Sequence, residues 1–354
     1  YLRGVALYRL GQYPKAVRSL REYIDGNGQN LRVFYALGLS YRQLQRGAEA
    51  MESFGEALAK GLKHAATYWE LAKLKLEQQD AKKALEYVDE ALSLKEGDGR
   101  YLQTKGSALF HLKRYREAAD MFRQADGAGV EPSERGLVNY NMGLSYLNSA
   151  QYPQAEKAFL QAIRLDGSKP EYVLGLADSQ IAAGKSEEAR KHLASAVKKF
   201  PDNAELLLIQ GNIFFKAKEY EAALEVFRKA YRQNPKDRKV INNLGLAYMN
   251  TEQFEQSRSF FRKAIVEDPI NSDLWFNLAL VDVATEQHEG AIAALEKTLS
   301  LDASDGKKSD AYYLLCKEYF AAGRADEARE TLVRLRRANP KDAKIVELEK
   351  LLAE

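Results

Sequence analysis

Small and large apolar side chains return along this chain with a spacing that paired helices produce. One column of small residues runs Ala16, Ala50, Ala84, Ala118, Ala155, Ala189, Ala223, Ser257, Ala291 and Ala328, in steps of 34 broken twice by 37. Twelve residues before each stands a second small one: Gly4, Gly38, Ala72, Gly106, Gly143, Ala177, Gly211, Gly245, Ala279 and Cys316. Four residues after the first column comes a large apolar side chain, as at Leu20, Phe54, Val88, Phe122, Phe159, Phe227 and Phe261. Residues three and four apart share one face of a helix. A period near 34 marks stacked helical units. Each unit therefore reads as two antiparallel helices, A and B. Where they cross, anything larger than a methyl would push the backbones apart, and the Phe or Leu one turn later fills the wedge beside the crossing.

The same columns set the unit boundaries. After a first unit that opens inside its helix A at Tyr1, units begin near residues 31, 65, 99, 136, 170, 204, 238, 272 and 309. Pro201, Pro235, Pro269 and Pro340 stop helix B, because proline cannot continue it. Gly11, Gly184 and Gly323 fall in the turn from A to B, where a left-handed backbone is useful. The two longer steps fall in Asp126–Gly136 and Asp302–Asp310, rich in Gly, Ser and charge, and predict longer surface loops. In the final stretch, 341–354, Ile345, Leu348, Leu351 and Leu352 share one face, but the next step from Cys316 lands on Lys350. A paired helix would need Gly or Ala there, so this stretch predicts an unpaired capping helix. The expected organisation is ten units over 1–340, the first truncated at its N-terminus, and a cap over 341–354. The start inside a helix predicts that upstream residues have been trimmed, and a targeting segment could have gone with them.

In this register the chain resembles the tetratricopeptide repeat (TPR) family over essentially its whole length. Gly211, Phe214, Tyr220, Ala223, Phe227, Ala230 and Pro235 match the family pattern best in one unit, and Trp275, Leu278, Ala279, Ala291 and Leu295 in another. The resemblance implies an all-α fold: a right-handed α-solenoid (superhelix) of about ten TPR helix pairs plus a C-terminal capping helix. It also implies that the A helices line a concave face. Carried over residue by residue, that face includes Tyr35, Trp69, Tyr140, Asn242, Phe276 and Tyr313. About four residues further on it includes Lys73, Asn212 and Lys317, and about seven further on Arg42, Phe110 and Phe215. The groove reads as apolar and aromatic, and exposed apolar surface of this kind marks an interaction site.

The asparagines refine this expectation. Members of the family that clamp C-terminal carboxylates use two Asn and three basic residues. Asn212 and Asn243 occupy the Asn places here, but Leu208, Asp273 and Asn277 occupy the basic ones. A carboxylate would lack its cations there. Asn141, Asn243 and Asn277 also match a column in which other members carry an asparagine ladder, but Ile209 interrupts it. A local grip of Asn243 and Asn277 on an extended peptide remains.

Composition and chemistry narrow the function. The net charge is +3 with 29% charged residues, so both signs are mixed and no nucleic-acid footprint stands out. No apolar run is long enough for a membrane span. His64, His111, His192 and His288 fall in different units, without metal-ligand spacing, and no phosphate-binding or nucleophile motif occurs. Asp302, Ser304, Asp305 and Asp310 lack the order and closing glutamate of a calcium loop. Cys316, the sole cysteine, reads as a small residue of the crossing column. Arg324, Arg329, Arg334, Arg336 and Arg337 read as a solvated face of the last helix B.

The expected function is a non-enzymatic protein–protein scaffold or adaptor. It would hold a helical or extended partner segment in the aromatic groove, with no cofactor, no metal and no nucleic acid, and self-association is a second use of the same face. The expected setting is soluble, in a cytoplasm or a bacterial periplasm. Two alternatives stand beside it: the recognition arm of a larger enzyme, and a bacterial envelope or secretion assembly factor.

Overall fold

The computed structural model describes residues 1–301 and 303–353. The calcium-loop reading at Asp302 and the last residue of the expected cap, Glu354, lie outside the described residues. Among the described residues there are twenty-one α-helices and no strand. They form two compact units, Tyr1–Ala189 and Arg190–Glu354.

In unit 1 the A helices are α1 (Leu2–Arg9), α3 (Arg32–Gln43), α5 (Ala65–Glu77), α7 (Gly99–His111), α9 (Pro132–Asn148) and α11 (Pro170–Ala182). The B helices are α2 (Tyr13–Asp25), α4 (Gly47–Ala59), α6 (Ala81–Leu94), α8 (Tyr115–Gly127) and α10 (Tyr152–Leu165). Helix α12 (Ser186–Lys199) begins in unit 1 and continues into unit 2. Unit 2 continues with α13 (Ala204–Lys216), α14 (Tyr220–Gln233), α15 (Arg238–Asn250), α16 (Phe254–Glu267), α17 (Ser272–Ala284), α18 (His288–Ser300), α19 (Asp305–Ala321), α20 (Ala325–Ala338) and α21 (Lys344–Leu351).

The helix crossings explain the small-residue columns. A Cβ placed on Gly38 would lie 2.5 Å from Phe54, on Gly106 2.9 Å from Phe122, on Gly143 2.7 Å from Phe159, and on Gly211 2.4 Å from Phe227. Each phenylalanine ring thus lies directly on the backbone of its partner helix. These rings are fully or almost fully buried. Two crossings carry a polar atom instead of a bare methyl. Ser257 Oγ donates to the Gly245 carbonyl at 2.8 Å, from helix B to helix A, and Cys316 Sγ to the Ala328 carbonyl at 3.3 Å in the opposite sense. Cys316 is fully buried, and burial pushes its thiol up to about 11.

Every turn from A to B contains one left-handed residue. Gly11, Gly184 and Gly323 supply it at φ of 71°, 76° and 75°, but Gln45, Gln79, Lys113, Ala150, Lys218, Glu252 and Glu286 adopt it as well, at φ between 53° and 62°. Non-glycine residues pay roughly 1 kcal/mol for this conformation, and here the hairpin geometry imposes it in seven units of ten.

The two longer steps do not make longer loops. They lengthen the helix that follows: α9 and α19 have 17 residues where α5, α7, α11 and α17 have 13. Pro132 stands in the first turn of α9, where its missing N–H and fixed φ suit a helix start. The added turn is tied down from the side, since Arg135 Nε donates to Asp126 Oδ1 at 3.0 Å and Asn139 Nδ2 to the same oxygen at 3.2 Å.

Neighbouring hairpins are joined by polar as well as apolar contacts. Arg228 Nε donates to the Tyr248 hydroxyl at 2.9 Å, and the Arg21 guanidinium lies 5.6 Å from the Tyr41 ring. Tyr319, in the corresponding place, donates its hydroxyl to Glu296. At the C-terminal end α21 buries Ile345 and Leu348 in the cluster that includes Leu315, Leu332 and Leu335. Three of the four arginines of α20 lie in ion pairs, Arg329 with Asp326 at 3.3 Å, Arg334 with Glu330 at 2.8 Å, and Arg336 with Glu349 on α21.

Candidate partner-binding site

In unit 1 the expected groove residues gather around a carboxylate that the repeat pattern does not mark. Glu70 on α5 has only 6% of its side chain exposed. Lys73 Nζ donates to its Oε1 at 2.8 Å, and Arg42 from α3 pairs with its Oε2 while reaching Glu77 at 2.9 Å. A buried carboxylate left unpaired would be strongly unfavourable, and two cations answer it here. Lys73 also lies over the Trp69 ring, 3.6 Å from its centroid, with the Arg100 guanidinium at 5.1 Å. The Trp69 indole N–H donates to Thr104 Oγ1 at 2.8 Å. Burial draws the Lys73 ammonium below its ordinary value. Tyr35 packs edge-on to His64 at 4.7 Å, and burial, with the charge of Glu70 adding to it, pushes its phenol up to about 12. Tyr35, Arg42, Trp69 and Lys73 thus belong to one internally paired cluster. Phe110 meets Tyr115 edge-on at 5.2 Å, and Tyr140 stacks on Tyr172 at 4.9 Å.

In unit 2 the structure opens a cavity of about 530 Å³ along α15, α17 and the first turn of α19. Asn242 and Leu246 line it from α15, Phe276 and Asn277 from α17, and Lys307 from α19. The Asn242 Oδ1 is buried without a hydrogen-bond partner, an arrangement that costs free energy unless something donates to it. Arg238 and Lys239 stand at the cavity's edge, and neither has an ion-pair partner among the described residues. Lys307 pairs with Asp273 and lies 6.0 Å from the Phe276 ring, and burial lowers its affinity for a proton.

The other expected residues of unit 2 are placed elsewhere. Asn243 Nδ2 donates to Asn212 Oδ1 at 2.7 Å, so these two amides engage each other between α15 and α13. Phe215 packs edge-on to Tyr220 at 5.2 Å. Tyr313 donates its hydroxyl to Glu347 of α21, and Lys317 lies 5.2 Å from its ring. The carboxylate Glu70 and the cations Arg238, Lys239 and Lys307 were not singled out by the groove columns. A signal existed for the first: Glu70 is the one charged residue in a column that also holds Leu2, Ala36, Thr104, Asn141, Gly175, Ile209, Asn243, Asn277 and Leu314. The cations fall at helix starts, outside those columns.

Among the described residues no three of His, Cys, Asp and Glu converge as a metal site, and no helix is long and apolar enough to cross a membrane.

Comparison with known proteins agrees with this geometry. A profile of the tetratricopeptide repeat matches residues 1–66, 35–100, 69–129 and 140–191. The profile of the cilia and flagella-associated protein 70 C-terminal domain matches residues 167–354. The type IV pilus assembly protein PilF of Pseudomonas aeruginosa is 27% identical over 184 residues, 52% of this chain and 73% of that protein. Its solved structure covers 63% of this chain and 96% of its own, at 24% identity and a TM-score of 0.49. A tetratricopeptide repeat protein from Parabacteroides merdae covers 71% of this chain and 98% of its own, at 17% identity and a TM-score of 0.52, a likeness of fold alone. With repeat profiles tiled along the same register as the helix crossings, this all-α chain belongs to the tetratricopeptide repeat family, whose members serve as protein-interaction scaffolds.

Proposed function

We propose that the chain is a non-enzymatic scaffold that holds an extended partner segment along α15 and α17 in unit 2. The observation that carries this reading is a cavity of about 530 Å³ lined by Asn242, whose Oδ1 is buried without a hydrogen-bond partner. An asparagine side chain offers one acceptor and two donor hydrogens, the complement of a peptide group. Asn242 and Asn277 would pair with the partner's backbone. Phe276 and Leu246 would take an apolar side chain, and Arg238 and Lys239 an acidic one. A helical partner fits less well, because its backbone groups are already bonded internally.

The test is a pull-down from the native source with the wild type and an Asn242→Ala/Phe276→Ala variant of equal helical content. Proteins lost only from the variant identify the groove's ligand. An unchanged set of captured proteins would show that this cavity is not the working surface.

A second reading, service in a bacterial envelope assembly, is favoured by the similarity to PilF. Expression in a Pseudomonas aeruginosa strain lacking PilF tests it: restored pili support the reading, and bald cells that contain the folded protein count against it.

A further inference from the structure

Unit 1 carries a second groove, formed by the other side of an A helix. Helix α9 presents Tyr140 and Leu144 in the columns of the expected concave face. Met142 and Tyr146 lie two residues beyond each, about 200° further around the helix at about 100° per residue. These two side chains, with Leu160 on α10, line a cavity of about 660 Å³ between α8 and α10.

The polar groups around this cavity are not balanced. Its two carboxylates are engaged within the protein: Asp126 accepts from Arg135 and Asn139, and Glu156 from Gln180 at 3.0 Å and Lys185 at 2.8 Å. Arg123 pairs with Asp120 at 2.8 Å. Lys157 and Arg164 also line the cavity, both exposed, and neither has an ion-pair partner among the described residues. An apolar floor remains, with two open cations along one wall.

The spacing of those cations selects the conformation of the ligand. Lys157 and Arg164 are seven residues apart on one helix, which separates them by about 10.5 Å along the axis. A partner helix running alongside puts residues i and i+7 on one face at the same separation. An extended strand reaches about 10 Å in three residues, but residues three apart point to opposite faces. Only one of them could meet a cation.

We propose that this face of unit 1 docks an amphipathic helix of a partner protein, with acidic residues two turns apart answering Lys157 and Arg164. Its apolar stripe covers Met142, Tyr146 and Leu160. Methionine suits such a floor, because its unbranched side chain adapts to different partners. This site is independent of the cavity along α15 and α17.

The test is a display library of helical peptides randomised on one face, panned against the whole chain and counter-panned against Lys157→Glu/Arg164→Glu. Both substitutions are at exposed positions, so the fold should be retained, as circular dichroism would verify. The expected result is enrichment of sequences with Asp or Glu seven apart beside an apolar stripe. Their affinity should fall at least about tenfold on the charge-reversed variant and stay unchanged on Asn242→Ala. Failure to enrich, enrichment of basic or uncharged sequences, or equal binding to the variant would each overturn the proposal. So would a concentration-dependent dimer of the chain abolished by the same two substitutions, since the face would then serve self-association.

Discussion

Arg258 on α16 and Asp282 on α17 form an ion pair closed off from water. The arginine Nε donates to Asp282 Oδ1 at 2.7 Å, with 6% and 3% of the two side chains exposed. The same guanidinium reaches Thr285 Oγ1 at 2.7 Å and Glu255 at 2.6 Å. The pair spans two adjacent hairpins, so it fixes how one sits on the next.

Removing one partner leaves the other charge buried. Asp282→Ala should therefore destabilise unit 2 by about 3–5 kcal/mol, whereas replacing both with apolar residues, Arg258→Met/Asp282→Leu, should cost much less. Urea unfolding of the three proteins checks this. A single variant as stable as the wild type would mean that water reaches the pair.

The left-handed column predicts an easy gain. Ala150 holds φ at 59° where other units use glycine. Ala150→Gly should stabilise by about 0.5–1 kcal/mol, and Gly184→Ala should cost about as much. Opposite signs in a pair of thermal melts are the expected outcome, and equal signs would contradict it.

Over-packing a crossing should do more damage than emptying the groove. Gly143→Leu drives a side chain into Phe159, which already lies 2.7 Å from the place of a Cβ. Over-packing costs about 1–3 kcal/mol, and more where backbone must move. Gly143→Leu and Ala223→Leu should both melt below Phe276→Ala, and the reverse order would refute the crossing geometry.

Acid should weaken unit 1 through Asp98. This residue caps α7, accepting from the Arg100 backbone N–H at 3.1 Å, and the Arg100 guanidinium holds its carboxyl well below the usual carboxylate range, with Lys95 adding to the effect. A carboxyl with a depressed folded value contributes stability above its unfolded pKa of about 3.9 and loses it as pH falls toward the folded value. Asp98→Asn keeps a cap of similar quality but cannot titrate. The wild type should therefore be the more stable at pH 7, with the difference shrinking below about pH 4. A difference independent of pH would show that the charge of Asp98 is not involved.

Much of the architecture was legible before any coordinates. Ten small residues at Ala16 through Ala328, each with a partner twelve residues earlier, state one local requirement ten times. The helix boundaries follow within a few residues, because each hairpin is built from contacts close in the chain. The left-handed turns were legible only at Gly11, Gly184 and Gly323. In the other seven units hairpin packing offsets the local cost, and residues such as Lys218 and Glu252 carry no mark of it. The segment Asp126–Gly136 had the composition of a loop, yet part of it became the first turns of α9. Helix formation there is supported by Arg135 and Asn139 gripping Asp126, contacts that composition does not encode.

The candidate sites were the least legible part. Asn242 and Asn243 are neighbours in sequence, and periodicity places both near the groove, yet Asn243 is engaged by Asn212 from another hairpin while Asn242 Oδ1 stays buried and unpaired. The cluster around Glu70 likewise depends on Arg42, 28 residues away, entering from the neighbouring repeat. The sequence alone determined the repeat, its register and its helix crossings, because these rest on side-chain size at fixed short spacings. Which polar groups are already paired, and which remain open to a partner, was decided only by the stacking of one hairpin on the next. Each such bond joins two repeats whose side chains at those positions vary independently of the shared pattern.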